Sequence, residues 1–377
     1  MNPVRFGIVG VTGVIGGTHI RAIRQTEGAE LAAVTDLNLA AAQRVASEAR
    51  CELLKNFDWL IKRADIDVVC LCTPHALHAE QAIAALKSRK HVLTEKPMAV
   101  TVADADKMIA ASEKYDRKLG VVFQYRFRPS VLAARALLQR GQLGQLYRVT
   151  VVHAAFKTQY FYDAAAWRGT WKGGGGGVLI NQAPHYLDLL AYLVGMPTRV
   201  AAWNRTLTHR IEVEDTASAL MEFPGGAQGF AHFNTVQAPG ESRIEIVGDR
   251  GTLRIEDNDV RLFQPEIPLR QFAQTDRSHI YAYPRTAEVR VPLASSEATH
   301  ATVLQDFIDA VRHNRPPACD GQEGRKSLEI GNAMLLSSFS GKPVELPVKR
   351  PSIRRLIKRL ASPDETPTKK VRTKGRK

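Results

Sequence analysis

Between Val4 and Arg126 the chain alternates short apolar runs with longer segments of helical spacing, and few folds accommodate that rhythm. The apolar runs are "VRFGIVGV", "ELAAVTD", "DVVCLCTP", "KHVLTEKP" and "KLGVVFQYR". Between them stand "GVIGGTHIRAIRQT", "LAAAQRVASEA", "HAEQAIAALKSR" and "VADADKMIAASEKYD". Runs this uniformly apolar are strands covered on both faces. Strands joined through helices lie parallel, because the chain must cross back before it can re-enter the sheet from the same end. Residues 1–125 are therefore expected to form a doubly wound parallel sheet.

After Arg126 the pattern changes. One helix, Val131 to Gln139, precedes "QLYRVTVVHAAF". Then come "RVAAWNRT", "DTASALMEF", "AQGFAHFNT", "SRIEIVGD" and "GTLRIED", joined by Gly, Asn and Pro turns with few helices between. That composition predicts a mostly antiparallel sheet in a second α/β domain, residues 126–347. Helices near Thr302–His313 and Gly324–Ser338 close it.

The net charge of +14 suggests a nucleic-acid partner until it is mapped. Lys349 to Lys377 hold twelve Lys or Arg and two acids, which is +10 of that total. Basicity thus belongs to a tail, residues 348–377, whose Pro/Thr/Lys-rich end is too polar to bury a core and is expected to be largely disordered. Its only apolar feature is a short amphipathic piece, Ile353, Leu356, Ile357 and Leu360. Nucleic-acid contact is expected to be no more than non-specific and confined to the tail. No window holds the 18 or so uninterrupted apolar residues a membrane span needs. The N-terminal apolar run breaks at once into glycines, as a first strand does and a signal peptide does not. Cys51, Cys70, Cys72 and Cys319 show no metal spacing, and no metal is expected. A reducing, cytoplasmic setting without disulfides follows as an expectation.

"GIVGVTGVIGGTH" closes the first strand and opens a helix, with glycines at Gly10, Gly13 and Gly16. Glycines in such a turn permit the tight bend, let the backbone approach a pyrophosphate and let helix pack on strand, while the helix N-terminus faces the anion. Asp36 ends the second strand, 20 residues past Gly16. An acid there accepts hydrogen bonds from a ribose diol and repels a 2′-phosphate, so NAD is expected over NADP. Further on, "GGGGGVLINQAPHYLDLL" sets Asn181, His185 and Asp188 at i, i+4 and i+7, one face if the stretch is a single helix.

"TEKPMA" at Thr94–Ala99, with "CTPHALHAEQAIAALKSRKHV" before it and "QYRFRP" after it, resembles the Gfo/Idh/MocA oxidoreductases, the glucose–fructose oxidoreductase and inositol dehydrogenase family. "GGGVLINQAPHYLDLL", "EVEDTASALMEFPGG", "EIVGDRGTL" and "GQEGRKSLEI" resemble its later segments, so the likeness spans residues 4 to 347. The resemblance implies a Rossmann domain, a second domain with a large open sheet, and dimers or tetramers built through that sheet. It implies NAD(P)-dependent oxidation of a secondary alcohol on a sugar, inositol or related cyclic polyol. The family also contains redox-neutral glycosidases and epimerases, and non-catalytic regulators that tend to lose the lysine retained here as Lys96.

Lys96 matches the family's catalytic lysine. Pro97 ends the strand, so Lys96 projects from a carboxyl end, where open α/β sheets bind ligands. His185 matches the family's histidine, which takes the hydroxyl proton as hydride leaves the same carbon. Asn181 departs from the aspartate common in the family and cannot ionise, leaving the proton to Lys96 and His185. The candidate cofactor contacts are Gly10, Thr12, Gly13, Val14, Ile15, Asp36, Thr73, Pro74, His78, Glu95, Lys96 and Gln124. Tyr162, Trp167 and Arg168, in an aromatic and basic segment suited to a sugar ring, join Lys96, Asn181 and His185 as candidate substrate contacts.

Overall fold

The computed structural model of the chain describes residues 2–295 and 297–362. Its first sheet has six strands: β1 (Val4–Val9), β2 (Ala29–Thr35), β3 (Glu52–Leu53), β4 (Val68–Leu71), β5 (His91–Thr94) and β6 (Leu119–Val121). All pair in parallel, in the order β3-β2-β1-β4-β5-β6. The order reverses between β1 and β4, and the carboxyl ends there open the crevice in which such sheets bind dinucleotides. β3 has two residues, too few for an apolar pattern to betray it.

One face of this sheet buries Phe6, Ile8, Val68, Cys70 and Leu93 against Ile20 and Ile23 of the Val14–Gln25 helix. Val303, Leu304, Phe307 and Ile308 of the His300–Arg312 helix fill the same core. A boundary at residue 125 assigns that helix to the second unit. Its apolar stripe instead lies on the first sheet, a return that spacing along the chain does not encode.

The second sheet has nine strands: β7 (Leu146–Ala154), β8 (Arg199–Arg205), β9 (Thr216–Glu222), β10 (Gln228–Asn234), β11 (Glu241–Gly248), β12 (Gly251–Glu256), β13 (Asp259–Pro265), β14 (Thr286–Val289) and β15 (Val344–Glu345). Their order is β14-β13-β12-β11-β7-β10-β9-β8-β15. β7 and β10 run parallel, and the other neighbours are antiparallel. The inner face packs on the Pro184–Val194 and Gly321–Ser340 helices. The outer face leaves Trp203, Leu220 and Phe230 exposed on three adjacent strands.

The basic tail departs from expectation. Arg350–Leu360 is a helix, and its Ile353, Leu356 and Leu360 are buried in the main core. The i, i+3, i+7 spacing gives it one apolar stripe. Arg350 anchors its start to Asp106 at 2.7 Å and Glu329 at 2.8 Å. The expected disorder of the tail's end lies outside the described residues. Cys51, Cys70, Cys72 and Cys319 are all free. Among the described residues no helix is long and apolar enough to cross a membrane.

Candidate active site

The three glycines after β1 do three different things. Gly10 has φ +84, and a Cβ there would meet the Cys72 carbonyl oxygen at 2.8 Å. A Cβ on Gly16 would stand 2.4 Å from the Val11 carbonyl oxygen, so only glycine lets the helix seat on the turn. Gly13 is exposed, with no protein atom nearer than 4.0 Å to such a Cβ. As N-cap of the Val14–Gln25 helix it offers no side-chain bond, leaving the first-turn N–H groups to an incoming anion. Thr12, Val14 and Ile15 are exposed around it. Asp36 reaches this turn, its Oδ2 accepting from the Thr12 N–H at 3.0 Å and hydroxyl at 2.8 Å. The turn therefore has the open backbone and the acid that a dinucleotide's pyrophosphate and ribose require. Gln124, three residues past β6, adds a buried Oε1 with no partner among the described residues.

At the end of β5 successive side chains point opposite ways. Glu95 is buried behind the sheet end, its Oε1 2.9 Å from His19 Nε2 and 3.4 Å from His300 Nε2. Burial alone would raise its pKa, but hydrogen bonds from the two imidazoles hold it well below the usual carboxylate range. Its Oε2 accepts from the Lys96 N–H at 3.2 Å. These three side chains offer ligand atoms within 4.8 Å of one another. They work as a hydrogen-bonded knot that joins the Val14–Gln25 and His300–Arg312 helices to the lysine's strand end.

Lys96 turns the other way. Its Nζ donates to the backbone oxygen of Asn181 at 2.7 Å, crossing from the first sheet to the second unit. Burial pushes its pKa below the ordinary value; Glu95 opposes that shift and Lys157 adds to it. His78 has both ring nitrogens 2.8 Å from carbonyl oxygens, those of Pro97 and Thr73. A neutral ring has one N–H, so it donates to one of these carbonyls and only abuts the other. Thr73 donates its hydroxyl to Gln81 at 2.6 Å, and Pro74 starts the turn that follows.

The glycine run is packed rather than open. A Cβ on Gly177 would stand 1.8 Å from the Glu214 carbonyl oxygen, and one on Gly175 2.4 Å from Val100. Protein, not ligand, takes the space the glycines free. Val178–Asn181 is a short helix of its own, and Pro184–Val194 begins a second one. Asn181 is thus not on the helix of His185 and Asp188, because the chain breaks at Gln182 and Ala183 and Pro184 restarts it at a helix's first turn. Asp188 is held away from the crevice, receiving a fork from Arg126 at 2.6 and 2.8 Å.

His185 stacks on Tyr125 with ring centroids 4.2 Å apart. Its Nδ1 is buried without a partner. Burial pushes its pKa well below the usual imidazole range, and Lys96 and Arg128 push the same way. The ring is therefore neutral at physiological pH, with one nitrogen lone pair free to accept a hydrogen bond. Tyr162 is buried with its hydroxyl 2.9 Å from Thr235 Oγ1, which takes it out of direct substrate contact. Trp167 meets His75 edge to face at 4.8 Å, and Arg168 covers the Phe161 ring at 4.5 Å. Both are partly exposed.

Three contributors were not singled out from the sequence. His75 bonds the Gly174 carbonyl through Nδ1 at 3.1 Å, joining the first sheet's turn to the glycine run. Glu214 receives the N–H groups of Gly177 and Leu179 at 3.0 and 3.1 Å, capping the short helix that carries Asn181. Arg126 was legible as a basic residue after β6, but its partner lies 62 positions away.

Models of known families match both halves of the chain. Residues 4–123 match an oxidoreductase family with an NAD-binding Rossmann fold, and residues 131–254 match the GFO/IDH/MocA C-terminal domain. The WlbA dehydrogenase from Bordetella pertussis, solved with NADH and UDP-GlcNAcA, is 31% identical, with a TM-score of 0.80 over 92% of this chain and 100% of that one. Myo-inositol 2-dehydrogenase of Thermotoga maritima is 26% identical over 352 residues, 91% of this chain and 98% of its own length. The 1,5-anhydro-D-fructose reductase of Ensifer adhaerens is 25% identical over 344 residues, 91% and 98% of the two chains.

Proposed function

This chain belongs to the Gfo/Idh/MocA oxidoreductase family, and from that premise we propose that it oxidises a ring secondary alcohol of a sugar or cyclic polyol, with Lys96 and His185 managing the proton. It is an NAD-binding dehydrogenase acting on CH–OH groups. When bound, NAD supplies the acceptor for the hydride. Gly10, Gly13, the first-turn N–H groups after Gly13, and Asp36 would hold it, and the carboxylate of Asp36 would disfavour a 2′-phosphate.

One observation carries the assignment: Lys96, which makes no ion pair among the described residues, reaches across the crevice to the segment that leads into His185. Its lowered pKa brings proton exchange closer to neutral pH. His185, neutral and stacked in one orientation on Tyr125, is suited to accept the hydroxyl proton. Asn181 contributes its backbone oxygen to Lys96, and its uncharged side chain leaves no carboxylate in the relay. Trp167 and Arg168 are our candidates for the wall on which the ring rests. We further propose that protomers associate through the outer face of the nine-stranded sheet, where Trp203, Leu220 and Phe230 are exposed.

Steady NADH formation from NAD over a panel of pyranoses and inositols tests the reading. Turnover of at least one member is expected. Tight NADH binding with no turnover across the panel would favour the non-catalytic alternative. Product formation without net NADH would favour a redox-neutral glycosidase or epimerase.

A further inference from the structure

The crevice between the two units is more cationic than a neutral sugar requires. Lys96, Arg128 and Lys157 stand close enough together to act on the same His153, and none forms an ion pair among the described residues. Three of the neighbouring acids are engaged elsewhere. Glu95 is turned behind the sheet to His19 and His300. Glu214 caps a helix, and Glu212 accepts from the Trp171 N–H at 3.0 Å. Position 181, where a carboxylate would balance the lysine, is asparagine.

Two of these cations are placed for recognition rather than for proton transfer. Arg128 lies 3.4 Å from the centroid of Tyr125, whose ring also stacks on His185 at 4.2 Å. Two groups that close to one ring occupy its opposite faces, so a flat guanidinium is fixed one ring beyond the histidine. Its fork is suited to a planar oxyanion. Arg128 also lines a cleft of about 460 Å³, which Glu297 lines without pairing with it. Lys157 follows β7, its backbone pinned by the Thr235 carbonyl at 3.0 Å and its Nζ 5.5 Å from the Phe161 ring centroid. Both cations bear on His153, whose pKa is lowered to about 4 by burial first and then by Lys157, Arg128 and Lys96. Like charges gathered without a paired counter-ion repel one another in a partly desolvated cleft, and an arriving anion relieves that cost.

We propose that the substrate of this site is an anionic sugar, one whose ring carries an ionised carboxylate, and that Arg128 and Lys157 select it. The proposal rests on the dehydrogenase reading above and narrows its substrate class. The carboxylated ring comes from one of two sources, a free hexuronate or a nucleotide-linked one, and both present the same group.

The test uses the full-length protein and substrate pairs that differ only in bearing a ring CH2OH or a carboxylate: a hexose with its hexuronate, and a nucleotide-linked hexose with its uronate. NADH formation is followed for each. Within at least one pair the carboxylate is expected to win by about tenfold or more in kcat/KM, equivalent to about 1.4 kcal/mol. The pair in which it wins identifies the source. Arg128→Met and Lys157→Met, which keep the stems, are expected to bring that ratio towards one, and Lys157→Arg to restore it. Equal rates within both pairs, or a ratio that survives both methionine variants in proteins with unchanged melting temperature, would overturn the proposal. Binding of the same pairs to the NADH-saturated protein separates the two claims. A carboxylate preference in binding without turnover keeps the anion site and removes the dehydrogenase reading. Turnover of neutral sugars alone does the reverse, and absence of any carboxylate preference in binding also rejects the anion site.

Discussion

Two side chains carry opposite lessons about burial and charge. Lys96 is a partly buried amine whose pKa falls because water is largely excluded from it, and the cost is recovered as reactivity. Lys96→Met should lower kcat by roughly 100-fold, the usual scale for a positioned acid or base, while NADH affinity stays within a few fold. Unchanged turnover in steady-state assays would remove it from the mechanism. Glu214 is a buried acid raised to about 7 from 4.5, by burial against the opposing backbone N–H bonds, and its Oε2 has no partner. Between those two values the folded chain keeps a proton that the unfolded chain has released. Stability therefore falls as pH rises through that window. Melting temperatures measured from about pH 5 to about pH 8 should show the decline, and Glu214→Gln should flatten it. An identical slope in the variant would place the effect elsewhere.

The glycine turn and the glycine run look alike in sequence and differ as elements. In the turn, Gly16 and Gly13 should separate cleanly. Gly16→Ala forces a methyl against the Val11 backbone and should cost about 1–3 kcal/mol in denaturant unfolding. Gly13→Ala meets no protein atom, so it should leave unfolding unchanged and weaken NADH binding by about tenfold in a titration. Equal effects of the two would contradict the division of labour. The turn was readable because strand, glycines, helix and Asp36 are consecutive, and each has a local reason. In the run, the glycines' neighbours are Trp167, Val100 and Glu214, contacts between segments that spacing cannot report. Asn181 and His185 obeyed helical spacing on paper, yet Pro184 marks a restart that the count of four ignored. The bidentate partner of Asp188 was equally hidden, since Arg126 lies 62 positions earlier in the chain.

At the scale of the molecule two late helices tie its parts together. The His300–Arg312 helix returns to the first sheet, and Arg350–Leu360 seals the main core. The amphipathic spacing of the tail was visible in sequence, but its docking partners Asp106 and Glu329 were not, so helix and disorder were hard to tell apart. Ending the chain at Lys349 should cost several kcal/mol, since Ile353, Leu356 and Leu360 each bury about 1.5–3 kcal/mol of side chain. Calorimetry that finds the truncated chain equally stable would show the helix to be an ornament. The outer sheet face makes a second prediction. Leu220 sits directly opposite Phe230, so Leu220→Asp should yield monomers by light scattering if that face joins protomers. An unaltered assembly size would point to another surface. The bond from Lys96 to the Asn181 carbonyl has a larger consequence. The ammonium has its partner only where the two units meet, so any substitution that parts them there would also disarm it. Cohesion between the units and the readiness of the lysine thus hang on one bond.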